Sequence, residues 1–125
     1  MIDVSDLIGV PYVEFGRDCK TGLDCYGLVM EVSRRMGKPL RDIVLEKIDG
    51  GRAKKILPTL NMKTTNVLEA GTVLIFYSRK NRRLHVGIAL DKNTFIHSTE
   101  NQGVRISSMK TASIYLDLAN MYEVL

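Results

Sequence analysis

At Gly71 the hydrophobic pattern of this chain changes period. Beyond it, TVLIFYS, LHVGIAL, TFIHST and GVRISSM follow one another as short runs rich in Val, Ile, Thr and Phe, separated by turn residues. Before it, the apolar residues Leu28, Val29, Val32 and Met36 recur at helical spacing. Helices first and strands later predict an α+β domain with N-terminal helices packed on an antiparallel β-sheet. A length of 125 residues suits a single domain spanning 1–125. Such a chain can bury enough surface to fold without disulfides or a metal. The remaining expectations are a helical turn over 3–9, a loop over 12–22 and a helix over 24–36. Residues 40–61 should form two short helices, broken by glycines at 50 and 51, the second ending near Pro58. A helical turn over 112–116 and a last strand over 120–125 complete the order.

The helix over 24–36 has an unusual first turn. In TGLDCYGLV, Asp24 is a good N-cap, because its carboxylate can accept the unpaired N–H groups of that turn. Gly37 and Pro39 supply the stop. Cys25 then lies beside the cap, on the side of Leu28, Val29 and Val32. One reading is a small buried hydrophobe. The other is a nucleophile, since the positive end of the helix dipole favours a thiolate. The charge of Asp24 opposes that effect weakly.

A reactive thiol also needs a base. His85 and His97 are the chain's two histidines, twelve residues apart, both in expected strands. A hairpin centred on Asp91 would set them directly opposite, on one face of the sheet. A two-residue turn at 92 and 93 would put them on opposite faces. In the first register one imidazole can take the thiol proton while the other orients it, as in cysteine hydrolases. Gly87 and Ala89 share the His85 face, which leaves room for a docking helix end. The plain alternative is a core cysteine and two ordinary hydrogen-bonded histidines. The spacing Cys-x5-Cys with His-x11-His lacks the close pairs of structural zinc sites, so no metal or cofactor is expected. Cys19, on a loop before Lys20, reads as an incidental thiol.

The formal charge of +4 favours anionic partners, with the charges scattered along the chain. No aromatic and basic platform suggests nucleic acid, and no stretch is long and apolar enough to span a membrane. The start, MIDVSDLIGV, carries two acids and no basic flank, unlike a signal peptide. Reduced thiols are therefore expected, with a place in the cytoplasm or a virion, or else a chain that is a fragment of something longer.

Together GVPYVEFG, GLDCYGLV and HVGIALDKNTFIHST resemble the NlpC-type family of cell-wall cysteine peptidases, over about residues 9–106. EAGTVLIFY resembles the family's G-D-hydrophobic strand entry, with Thr72 where an aspartate is usual. The resemblance implies a compact papain-like fold, with Cys25 as nucleophile, His85 as general base and His97 as the third member that orients it. It also implies that Tyr12 lies near the oxyanion and that Asp24 holds the free amine of a peptide substrate. The implied activity is cleavage of peptidoglycan stem peptides, commonly between γ-D-glutamate and the following diamino acid, with no cofactor. Tyr26 stands where secreted members commonly carry serine, and its ring is expected to reshape the pocket. With the leaderless start, it resembles members found in phage tails and prophages. Other tail proteins would then be partners, and the chain would stay cytoplasmic until assembled into a tail that acts on the wall. Two further functions fit the same residues. One is a catalytically silent tail or assembly module; the other is an amidase or acyltransferase using the same triad.

Overall fold

A computed structural model describes residues 2–44 and 55–125 of the chain. Its centre is a six-stranded antiparallel sheet of β3 (Met62–Thr64), β4 (Val73–Ser78), β5 (Leu84–Ala89), β6 (Thr94–Thr99), β7 (Gly103–Ser108) and β8 (Leu116–Val124). The strand order is β3-β8-β4-β5-β6-β7. Ahead of it come a 3-10 turn (Ser5–Leu7), a two-strand ribbon of β1 (Arg17–Asp18) and β2 (Gly22–Leu23), and helix α1 (Cys25–Arg35). The α+β class with helix packed on antiparallel sheet is the one the change of period predicts.

Alternation along the strands sorts the side chains onto two faces. Val73, Ile75, Val86, Ile88 and Ile96 pack beneath Leu28, Val29 and Val32 of α1. Leu74, Phe76, Ala89 and Phe95 form a second cluster on the other face, with Ala112 and Leu116. Helix α1 ends as its sequence predicts. Gly37 takes a left-handed φ of +82°, and the Lys38 N–H reaches back to the Ser33 carbonyl at 2.9 Å.

Several boundaries differ from expectation. The loop over 12–22 contains the β1–β2 ribbon, too short to show a period. Residues 40–44 are not helical, and the rest of that expected helix, with its glycine break, lies outside the described residues. The second helix does not stop at Pro58, because a proline is tolerated in the first turn of the 3-10 segment Leu57–Leu60. The late helical turn sits earlier, at Met109–Ala112, where the Ser108 hydroxyl accepts from Thr111 N.

The β5–β6 hairpin is centred on Lys92 rather than Asp91, since Ile88 pairs with Ile96 and Ala89 with Phe95. The loop has three residues because Asp91 Oδ1 accepts from both Asn93 N and Thr94 N. Extending that register sets His97 opposite Gly87 and His85 opposite Thr99. The histidines therefore share a face but stand diagonally. Gly87 and Ala89 are on the face away from α1, so their smallness does not admit the helix. A Cβ on Gly87 would lie 2.9 Å from the Phe95 ring and 3.4 Å from the His97 Cβ. Glycine there makes room for the cross-strand rings.

Candidate active site

Cys25 is the first residue of α1, and its place is fixed by the residues around it. Asp24 caps the helix, its Oδ1 accepting from Gly27 N at 2.7 Å. Arg17 donates to the same oxygen at 2.6 Å, to the Gly16 carbonyl at 2.9 Å and to the Ile43 carbonyl at 2.8 Å. A Cβ on Gly27 would come within 2.3 Å of the Gly16 carbonyl oxygen, so the motif glycine lets that loop press on the first turn. Ser98, buried beside His97 in β6, donates from Oγ to the Leu23 carbonyl at 2.8 Å. That bond ties the entrance of α1 to the histidine strand.

Cys25, His85 and His97 line one cleft of about 1090 Å³. Strand parity puts the histidines on the face of Phe76 and Phe95, while Cys25 belongs to the core under α1, yet the cleft collects all three. His85 Nε2 and His97 Nδ1 are 2.7 Å apart, with the rings edge-on at 71°. His97 is fully buried and its Nε2 lies 2.8 Å from the Ser107 hydroxyl. The His85–His97 bond occupies one nitrogen of His85 and leaves Nδ1 for proton exchange. Burial lowers the pKa of His85 to about 4. It lowers that of His97 to about 3, with smaller contributions from the charges of His85 and Arg105. Both rings are thus neutral at neutral pH while the thiol is neutral; a thiolate beside His85 would favour its imidazolium.

Tyr12 also lines the cleft. The strap that carries it is pinned by Gly9 N to Val104 O and Val104 N to Val10 O, both at 2.9 Å, and by Leu23 N to Pro11 O at 3.0 Å. Asp24 does not line the cleft. It is buried, and one of its oxygens is held by the cap and by Arg17, so a substrate amine would compete with a guanidinium already in place. Tyr26, whose ring was expected to reshape the pocket, does not line the cleft. One residue along a helix is a rotation of about 100°, which turns its ring away from the cleft. There it is buried, its hydroxyl donating to the Arg41 carbonyl at 2.7 Å. Burial pushes its phenol up to about 12.

Sequence reasoning passed over Arg17 and Ser107. Ser98 is written into the motif as the residue after His97, but its work is on the opposite side of the strand. Ser107 gives no local signal, because only the β6–β7 register brings it to His97. The cationic run SRKNRR over 78–83 carries no motif that marks it out from the other charges of the sequence. It folds into the β4–β5 turn, and Arg82 and Arg83 line the cleft.

The NlpC/P60 family model matches residues 9–121. Among curated proteins, the murein DD-endopeptidase MepS/murein LD-carboxypeptidase of Escherichia coli K12 is 32% identical over 110 residues. The match covers 87% of this chain and 53% of that protein. The chain thus spans about half the length of the curated relatives it matches. A solved NLP/P60-family protein from Staphylococcus aureus Mu50, described as similar to lipoprotein, superposes with a TM-score of 0.63 at 24% identity, covering 95% of this chain and 38% of that one. The NlpC/p60 domain of the peptidoglycan hydrolase SagA gives 0.58 at 22%, covering 95% and 90%. At those identities the structures show a shared fold.

Proposed function

The chain belongs to the NlpC/P60 family, and on that premise we propose that it is a cysteine peptidase that hydrolyses amide bonds in peptidoglycan stem peptides. The observation that carries the proposal is one cleft holding a helix-terminal cysteine together with a histidine whose far nitrogen is bonded to a second histidine. His85 Nδ1 takes the Cys25 proton, and Sγ attacks the scissile carbonyl. The oxyanion is held by the Cys25 backbone N–H and the Tyr12 hydroxyl. His85 then protonates the leaving amine, which departs and leaves a thioester on Cys25. Water, deprotonated by the same imidazole, attacks the thioester, releases the acid and restores the thiol. His97 orients His85 throughout.

Arg82 and Arg83 support an anionic substrate. Arg82 and Arg79 share Asp117, at 2.6 and 2.8 Å, while the nearest carboxylate to Arg83 is Glu100 at 3.9 Å. The turn therefore brings Arg83, without a close carboxylate partner among the described residues, to a cleft that Glu14 and Glu100 also line, where it can meet a carboxylate of the peptide.

We assign the scissile bond to the γ-D-glutamyl–diamino acid linkage. The name of the Escherichia coli relative, a murein DD-endopeptidase and murein LD-carboxypeptidase, supports a second assignment to bonds of those two classes. Digestion of purified cross-linked and uncross-linked muropeptides, followed by mass spectrometry with Cys25→Ala as control, separates the two. Products cut after γ-D-glutamate support the first assignment; cross-link opening or loss of a terminal D-alanine supports the second. Delivery on a phage tail, which the bulky Tyr26 suggests, belongs to the same proposal. Mass spectrometry of purified particles would find the chain there, and its absence removes that part.

A further inference from the structure

We propose that Ser107 is a positioning residue of this site, stabilising the Nε2–H tautomer of His97 by accepting a hydrogen bond from that N–H, so that His97 Nδ1 faces His85 as an acceptor. The inference rests on the assignment of Cys25 and His85 as nucleophile and base, and extends it by a fourth member behind the second histidine.

The argument is a count of protons along one chain of contacts. His85 Nε2 and His97 Nδ1, at 2.7 Å, share one hydrogen, and His97 Nε2 and Ser107 Oγ, at 2.8 Å, share the next. When His85 acts as base its Nδ1 must be bare, so its hydrogen is on Nε2 and points at His97. When His85 has taken the thiol proton, both its nitrogens carry hydrogen, and Nε2–H points at His97 again. In either state His97 Nδ1 must accept, so the hydrogen of a neutral His97 resides on Nε2. That buried N–H needs an acceptor. Among the described residues, His85, Arg105, which pairs opposite it in β7, and the Phe95 ring at 4.5 Å stand around His97. Arg105 can only donate, and His85 is on the other nitrogen. Among the described residues the Ser107 hydroxyl is the one group hydrogen-bonded to His97 Nε2. Ser107 is buried and does not line the cleft, so it acts through His97 and not on substrate.

Without this hydroxyl the Nε2–H of His97 is left buried and unsatisfied, which favours moving its proton to Nδ1 to donate to His85 Nε2. That tautomer opposes an imidazolium at His85, because two N–H groups would then point at each other. The Cys25 thiolate would lose its counter-ion.

Two measurements test this, and neither needs a substrate. The first is the long-range proton–nitrogen NMR spectrum of the native protein at neutral pH, which reads the tautomer of each imidazole. A protonated Nε2 on His97 is expected, and a protonated Nδ1 overturns the proposal whatever Cys25 does. The second is the pH dependence of iodoacetamide alkylation at Cys25, resolved by peptide mass spectrometry with Cys19 as internal reference. In Ser107→Ala the thiolate limb at Cys25 should move up by about one pH unit, about tenfold slower reaction below the midpoint. Ser107→Thr, which keeps the hydroxyl, should restore the native profile, and Cys19 should not change. An unshifted profile in a folded Ser107→Ala protein overturns the proposal. If Cys25 alkylates no faster than Cys19 in the native protein, the nucleophile assignment fails instead, and the NMR result still decides the tautomer.

Discussion

Adjacent residues of α1 have separate tasks. Cys25 faces the cleft, while Asp24 and Tyr26 on either side of it are turned into the protein. That Cys25, His85 and His97 meet in one cleft was legible because the signals are local: a cap, a first-turn thiol and two imidazoles at even spacing. The Arg17 partner of Asp24 and the burial of the Tyr26 ring were not, because they follow from the helix phase and from partners elsewhere along the chain. Tyr26→Phe should therefore leave kcat and KM on muropeptides unchanged while lowering stability by about 1 kcal/mol, the worth of one hydrogen bond to the Arg41 carbonyl. A changed KM in that variant would return the ring to the pocket. His97→Ala should lower kcat by about two orders of magnitude with little change in KM, since its partner is His85 and not substrate. A mainly KM-based loss would contradict an orienting role.

At the scale of elements, the site depends on how two strands and one helix end are held together. The centre of the β5–β6 hairpin was legible to within one residue, which moves the pairing by two, and the odd number of loop residues is what keeps the histidines on one face. Their diagonal placement was not legible, since it depends on the three-residue loop that Asp91 organises. Thr72 shows how the usual aspartate of the strand entry can be replaced. Its hydroxyl accepts from Glu69 N and donates to the Val67 carbonyl, both at 3.1 Å. An ionised carboxylate can make only the first of these bonds. Gly27 is the element-scale residue most sensitive to change. Gly27→Ala puts a methyl group against the Gly16 carbonyl, with an expected loss of about 2–3 kcal/mol in denaturant unfolding. An unchanged midpoint would show that the loop carrying Tyr12 is not pressed against α1.

For the molecule as a whole, the sequence conveyed the class but not the full sheet. β3 is too short to show a period, and β8 hides half its length. A register shift opposite Ile75 and Phe76 breaks its alternation, leaving Leu118 and Ala119 exposed in an otherwise regular strand. Two global properties follow from the site. Both histidines have folded pKa values far below their ordinary 6.5, at about 4 and about 3. The unfolded chain therefore binds protons first as pH falls. The stability they contribute is full above pH 6.5 and drains away as pH falls toward 4. The exposed carboxylates held low by their partners, such as Asp91 and Asp117, act only below about pH 4. The urea midpoint should accordingly fall between pH 6.5 and 4.5, before the carboxylates titrate; a flat midpoint across that interval would mean the rings charge freely in the folded protein. The positive β4–β5 turn predicts a second property: KM for muropeptides should rise with ionic strength while kcat holds. The central claim is that the Cys25 thiol performs hydrolysis of wall peptides, and the most direct test is release of soluble fragments from purified sacculi by native protein and by Cys25→Ala at equal concentration under reducing conditions. Release by the native protein and none by the variant is the predicted result; equal release by both, or none by either from any wall type, would contradict it.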